Sequence, residues 1–319
     1  MENIKSPLNY TGNKYRILDQ IKPYFPDHCH KFTDVFCGGA TVGINVNADQ
    51  VLFIDKNPRV ISLLNFLSKS NFEKLVKKLE DKIQEYGLSY SNLNGYSHYF
   101  NIAKPSNKNN GLKKYNKEPF YRLRKDYNSI ENKDSDEANL LLYLLLVYGF
   151  NNDLRFNSNG EYNLPCGKTD LNRNNLNKIK EFIERSKCRN FKFVDADFKK
   201  PSVQKEILSS DFLYFDPPYL ITDAVYNESN GWSESDEEEL LKLLSTCIEK
   251  NIPFVLSNVL SKNNGNIYNE PLKKWIDSHP NVEVIDIDYH YRSSSYNKKN
   301  RNSNEREIIV VFGANKWLA

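Results

Sequence analysis

Residues 31–36 (KFTDVF) read as a β-strand, and the turn directly after this strand narrows the fold more than any other stretch. That turn is the small-residue run Cys37-Gly38-Gly39-Ala40-Thr41. A helical stretch is expected to about 47, a second apolar strand covers 51–54 (VLFI), and Asp55 closes it. Strand, glycine turn, helix, strand, acid is the opening of a doubly wound α/β sheet. Further strand-like runs lie at 191–194, 212–215, 253–257, 282–288 and 308–312. A helix is expected over 236–250, with Ser235 as its N-cap and Asp236, Glu237 and Glu238 in the favoured first turn.

Between the two sets of strands the pattern changes. Residues 58–148 read as mostly helical, and ANLLLYLLLVY (138–148) as a buried helix. The stretch 91–118, rich in Asn, Gly and Lys, reads as a long loop or insertion. The turn Ser158-Asn159-Gly160 inside RFNSNGEYN (155–163) is a hairpin signal. The sheet is therefore expected to come from both chain ends. One domain would hold 1–60 and 190–319, and 61–189 would project from it.

The strongest chemical signal is Asp216-Pro217-Pro218-Tyr219, just past the apolar run 212–215. Open α/β sheets bind ligands beyond the carboxyl ends of their strands. Two prolines fix the backbone and remove two amide donors, which leaves carbonyls facing the pocket. A carboxylate, a bare carbonyl and an aromatic ring can accept two hydrogen bonds from an NH2 group and stack on a planar base. The bland alternative is a simple turn. Gly38 and Gly39 would let a ligand approach the backbone closely. Asp55 would bind ribose hydroxyls, which suits an adenosyl cofactor without a pyrophosphate; its alternative is a cap for the helix after Asn57-Pro58. Lys14, in Asn9-Tyr10-Thr11-Gly12-Asn13-Lys14, is either a partner for a cofactor carboxylate or a surface lysine.

Charge adds a weaker pointer. The formal net charge is only +3, but residues 101–127 hold eight Lys or Arg against two acids, and 289–306 hold five against one. Such segments can track a polyanion or be a solvated surface. The five cysteines (29, 37, 166, 188, 247) form no CxxC pair, so reduced thiols are expected and a zinc site is not. Neither an apolar run long enough for a membrane span nor the apolar core of a signal peptide is found, and the expected location is cytoplasmic.

The chain resembles the Dam-type, alpha-group DNA adenine methyltransferases, most closely their T-even bacteriophage members. The resemblance rests on YTGNK (10–14), DVFCGGATVGINVN (34–47), YGFNNDLRFNSNGEYNLPCGK (148–168), YFDPPYLITDAVYN (214–227) and LSNVL (256–260), in the family's order. It implies a Rossmann-like S-adenosyl-methionine-dependent methyltransferase sheet with an inserted, mostly helical target-recognition domain carrying a β-hairpin. It implies S-adenosyl-methionine as cofactor, held by Tyr10, Lys14, Asp34, Phe36, Gly38, Gly39, Asp55, Asp197, Phe198 and Asp216. Asp216, Pro217 and Tyr219 would act on the flipped adenine. Arg155, Asn157, Pro165 and Lys168 in the hairpin, with Arg292 in a late loop, would face double-stranded DNA. The family's hairpin commonly ends Gly-Lys-Arg or Gly-Arg-Tyr, whereas here it ends Gly167-Lys168-Thr169, which leaves the recognition motif open between GATC and a related site. A cognate restriction endonuclease is an open partner, and a monomer is expected with a dimer on DNA open. The alternatives are a cytosine-N4 or RNA amino-methyltransferase, or a DNA binder that has lost catalysis.

Overall fold

A parallel strand buried on both faces is expected to be nearly continuous in apolar residues; the second strand obeys this over Val51–Ile54, whereas the first buries Thr33 and Asp34 between Phe32 and Val35. β1 (Cys29–Val35) and β2 (Ala48–Asp55) pair in parallel, with Val35 opposite Ile54. β3 spans Asn190–Asp195, β4 Phe212–Phe215, β5 Phe254–Lys262, β6 Ile267–Tyr268, β7 Glu283–Asp286 and β8 Arg306–Phe312. The computed structural model describes residues 2–105, 107–221, 231–288 and 305–314. These fall into two compact units, one of 1–13, 38–44 and 57–195, the other of 14–37, 45–56 and 196–319.

The second unit carries β2-β1-β4-β5-β8-β7 in that order, with β6 paired to β5. β1, β2, β4 and β5 are mutually parallel. β8, the last strand among the described residues, enters antiparallel between β5 and β7. The chain leaves β1 toward β2 on one side, and β4 leads to β5 on the other. The gap between β1 and β4 is thus the switch point where such sheets bind ligands. Beneath it the Phe25 ring meets Phe32, Phe212 and Tyr214 edge-on, with centroids 5.5, 5.6 and 5.8 Å away. Tyr214 is buried, and its hydroxyl lies 2.8 Å from Ser257 Oγ on the neighbouring strand.

Two expectations for the helices need correction. The helix expected after the glycine turn is absent: between β1 and β2 there is only a 3-10 turn, Gly43–Asn45. Phe36, Gly38 and Ala40 all have positive φ (65°, 47° and 62°). That left-handed alternation cannot start a right-handed helix. The helix Glu234–Glu249 begins earlier than expected, and its cap is Ser233, not Ser235. Ser233 N donates to the Asp236 side chain at 2.9 Å, which closes a reciprocal capping box two residues ahead of the expected cap.

The first unit is helical apart from β3. Asn57 caps Pro58–Lys69, Asn71 caps Phe72–Tyr86, Ser135 caps Asp136–Tyr148, and Asn172 with Asn175 forms a capping box on Arg173–Lys187. Residues 138–148 are buried throughout, as their composition requires. The expected loop at 91–118 is instead folded. It holds the helices Ser91–Asn94 and Tyr96–Ala103 and the first turns of Lys113–Ser129. Its polar residues carry the packing. Buried Asn116 bonds both the amide and the hydroxyl of Ser89, and buried Asp170 accepts from Ser89 Oγ, Ser91 N and Ser91 Oγ. The hairpin is reduced to isolated bridges, Phe156 with Tyr162 and Gly149 with Cys166. None of the five cysteines is in a disulfide. Among the described residues, no helix is long and apolar enough to cross a membrane.

Candidate functional site

Register places the second unit's chemistry. Val35 sits opposite Ile54 on β2 and Phe215 on β4, and Phe215 sits opposite Leu256 on β5. One residue further on, Asp55, Phe36 and Asp216 stand in a row across the ends of three parallel strands, level with Ser257. Two bonds hold the row: Cys37 N to Ile54 O at 3.0 Å and Asp216 N to Val35 O at 3.3 Å. Asp34, one residue inside β1, is 1% exposed. A carboxylate so deep is costly unless something compensates its charge.

Asp216 is the centre of a charged cluster. Lys14 Nζ lies 2.9 Å from Asp216 Oδ2, and the lysine side chain is only 4% exposed. The Tyr219 hydroxyl donates to Asp216 Oδ1 at 3.0 Å. The same hydroxyl lies 3.5 Å from Glu307 Oε1. Lys14 Nζ is 5.2 Å from the Tyr219 ring centroid. Burial pushes the Asp216 carboxyl above its ordinary range, against the opposing pull of Lys14 and Tyr219. Burial does the same to Glu307, with Lys14 opposing and Asp216 adding to the rise. The Lys14 ammonium is thus paired with Asp216.

Beside this cluster is an aromatic group. Ala196 N donates to Asp55 O at 3.0 Å, which brings Asp197 and Phe198 to the end of β2. The Phe198 ring lies 5.0 Å from Phe36 and 5.8 Å from Trp232, near-parallel to the latter. Trp232 meets Phe36 edge-on at 5.5 Å. Trp232 Nε1 donates to Glu237 Oε2 at 2.5 Å. Fully buried Glu237 also accepts from Asn258 (3.1 Å) and Asn269 (2.7 Å) through Oε1. Three neutral donors satisfy this carboxylate, and burial raises its pKa. Sequence reading missed Trp232, Glu237 and Glu307. The signal available for each was an acid or aromatic at the head of a helix or strand.

In the first unit, Tyr10 packs on the glycine turn. A Cβ on Gly38 would stand 2.8 Å from two Tyr10 ring atoms, and one on Gly39 would stand 2.9 Å from Tyr10 Cβ. Ser6 Oγ donates to Gly39 O at 2.5 Å. The close approach these glycines allow is thus made first by Tyr10. In the hairpin, Arg155 Nε donates to Asn163 Oδ1 at 2.9 Å, and Asn157 Nδ2 to Glu161 Oε2 at 2.8 Å. Pro165 O accepts from Phe150 N, and Lys168 O from Leu112 N. The Thr169 hydroxyl donates to Val147 O and accepts from Asn152, both at 3.1 Å. Arg292 lies outside the described residues.

Fold and site together define a doubly wound α/β chain with an acid-Pro-Pro-aromatic site at its switch point. The family model for D12 class N6 adenine-specific DNA methyltransferase matches residues 10–293. The chain is 35% identical to the modification methylase StsI of Streptococcus sanguinis and to the type II methyltransferase M.FokI of Planomicrobium okeanokoites, over 97% of its own length. It spans 43% of the length of each. A DNA adenine methylase of Haemophilus influenzae is 26% identical, with 97% of this chain and 94% of that protein covered. The chain belongs to the D12 class N6 adenine-specific DNA methyltransferase family.

Proposed function

We propose that this chain is a site-specific DNA adenine-N6 methyltransferase that takes its methyl group from S-adenosyl-methionine. The observation that carries this is Asp216, a partly buried carboxylate just past β4 at the switch point, in a chain of this family. The catalytic domain would be 1–60 with 190–319, and the target-recognition domain 61–189.

The residues present fit the cofactor. Asp55 ends β2 where ribose hydroxyls are bound in such sheets, and Phe36, Phe198 and Trp232 offer ring faces to its adenine. Phe198 and Trp232 are 5.8 Å apart, too close to admit a ring between them, so stacking uses an outer face. Asp34, Asp197, Tyr10, Gly38 and Gly39 complete the set. When bound, S-adenosyl-methionine supplies an electrophilic methyl group. Trp232→Ala is expected to raise the KM for the cofactor about tenfold, within the ~1–3 kcal/mol of base–aromatic stacking, with kcat changed little. Steady-state kinetics at varied cofactor check this, and an unchanged KM removes Trp232 from the pocket.

The target amine is a poor nucleophile because its lone pair is conjugated with the ring. Flipping it out of the helix costs a few kcal/mol, and stacking on Tyr219 returns roughly 1–3 kcal/mol. Asp216 and the Pro217 carbonyl accept the two amine hydrogens and draw the nitrogen toward a tetrahedral shape. When the N–C bond forms, the methyl–sulfur bond would break with its electron pair left on the cofactor's sulfur, and the proton shed by the amine nitrogen would pass toward Asp216. Orientation and placed acceptors do the work, with no covalent enzyme intermediate.

Arg155, Asn157, Pro165 and Lys168 would present the hairpin to the major groove, with Arg292 on a second loop. Arg155→Ala is expected to cost about 1–3 kcal/mol of discrimination at one base pair. Unchanged site preference on a library of duplexes would remove the hairpin from recognition. Thr169 stands where the family's pattern has a base-reading arginine, and GATC or a related motif is the proposed site. Closeness to the T-even bacteriophage branch rests on the quoted motifs. The two relatives named for modification methylase or type II activity support a cognate restriction endonuclease as partner; the protein itself is proposed to be a monomer in the cytoplasm. The test is plasmid DNA from a cell without other adenine methylases, read by single-molecule sequencing. Methyl-adenine in one short motif supports the reading. No modified base overturns it in favour of an inactive DNA binder or an RNA substrate.

A further inference from the structure

Asp216 has both oxygens engaged, Oδ2 by Lys14 at 2.9 Å and Oδ1 by the Tyr219 hydroxyl at 3.0 Å. A phenol has one proton to donate. A carboxylate oxygen can accept more than one hydrogen bond, but a substrate amine that donates to Asp216 competes there with the Lys14 ammonium and the Tyr219 hydroxyl, and a hydroxyl that yields its place without another acceptor is costly. A second acceptor is within reach. Glu307 Oε1 lies 3.5 Å from that hydroxyl, and rotation about the phenolic C–O bond redirects the hydrogen to it.

Glu307 is held in place by the main chain. It pairs in register with Val259 across the β5–β8 ladder, and its carbonyl accepts from Ile287 N at 2.9 Å. The residue is 6% exposed. The charged and titratable groups that bear on its carboxyl are Lys14, Asp216, Tyr219 and Glu305. A buried acid with no role is a liability for folding, and this one borders a phenol shared with the catalytic carboxylate.

Resting on the proposed methyltransferase reading, we propose that Glu307 is the alternate acceptor that receives the Tyr219 hydroxyl when the target amine claims Asp216. Only a hydrogen bond is exchanged; the phenolic proton stays on its oxygen. Glu307 is thus a positioning residue that keeps the Tyr219 ring in its plane while Asp216 is freed.

The test is a double-mutant cycle on single-turnover methylation, with cofactor and duplex affinities measured alongside. Glu307→Leu is expected to lower the transfer rate about tenfold, the worth of one hydrogen bond to a charged group, with both affinities held within twofold. Glu307→Gln, which keeps a carbonyl acceptor, restores most of the rate. In a Tyr219→Phe background, Glu307→Leu is expected to have no further effect. Where the leucine variant fails to fold, the near-isosteric Glu307→Met, which also lacks the carboxylate, takes its place in the cycle. An additive loss, or a loss that appears in affinity, overturns the proposal while leaving the methyltransferase reading intact. A wild-type protein that leaves every duplex unmethylated overturns both.

Discussion

Replacing Asp216 with Ala is expected to lower methyl transfer by at least about 10²–10³-fold, the cost of deleting one placed polar group at a reacting centre. Duplex binding should stay within a few-fold, because the hairpin proposed to carry it lies elsewhere in the chain. The substitution also removes the partner of Lys14, whose side chain is 4% exposed. Stranding a buried charge costs about 3–5 kcal/mol, discounted here because Asp216 itself is 19% exposed. The melting temperature will therefore fall as well, and a loss of activity alone would be ambiguous. Asp216→Asn separates the two effects. It keeps the shape and one carbonyl for Lys14, so the fold should hold. It also turns an amide donor toward the amine, so transfer should stay lost. Transfer within tenfold of wild type in the asparagine variant would show that Asp216 does not hold the amine. A cooperative melt near the wild-type temperature, with transfer lost, would confirm that it does.

Sequence reading reached what depends on neighbours in the chain. The strand 212–215 is found as read because four apolar residues end at an acid and two prolines, which cannot extend a ladder. The helix over 138–148 followed from its unbroken apolar run. What escaped depends on register and on bonds between distant residues. Glu307 reaches Tyr219 only because β8 enters antiparallel beside β5. Glu237 looks like a first-turn acid on a solvated helix, yet it is fully buried because Asn258, Asn269 and Trp232 all turn donors onto it. The segment 91–118 looks like a loop because its interior bonds are made by Asn116, Ser89 and Asp170, which composition counts as surface. The missing helix after β1 is a local failure of another kind. A helix is expected there from the strand, glycine turn, helix order of such sheets, but three positive-φ residues make the turn left-handed. Lys14 reads as a cation for an anion, and the pairing with Asp216, distant in the chain, is visible only in the fold.

Gly167→Ala is expected to be the most damaging small substitution outside the catalytic cluster. Gly167 N donates to Tyr148 O at 2.7 Å, and a Cβ built at Gly167 would lie 2.3 Å from Gly149 O and 2.7 Å from Gly149 C. Both are backbone atoms, so no side chain can swing away. Relief requires parting two segments that also bridge Gly149 to Cys166. Overpacking of this kind costs about 3 kcal/mol, which in a chain of this size lowers the melting temperature by roughly 4–5 °C. Gly160→Ala provides the contrast. Gly160 sits in the turn of the same hairpin at φ +74°, but nothing lies within 4 Å of its would-be Cβ. Only the left-handed backbone is penalised there, at about 1–2 kcal/mol. Thermal melts of the two variants should therefore differ clearly. If the hairpin reads DNA, Gly167→Ala should also raise the KM for duplex and blur site preference at temperatures where the protein is still folded, while cofactor affinity stays unchanged. Equal, small losses of stability in both variants would mean that the Gly149–Gly167 contact yields easily. A stability loss with no change in duplex KM would mean that the hairpin is scaffold and that DNA is read from another surface.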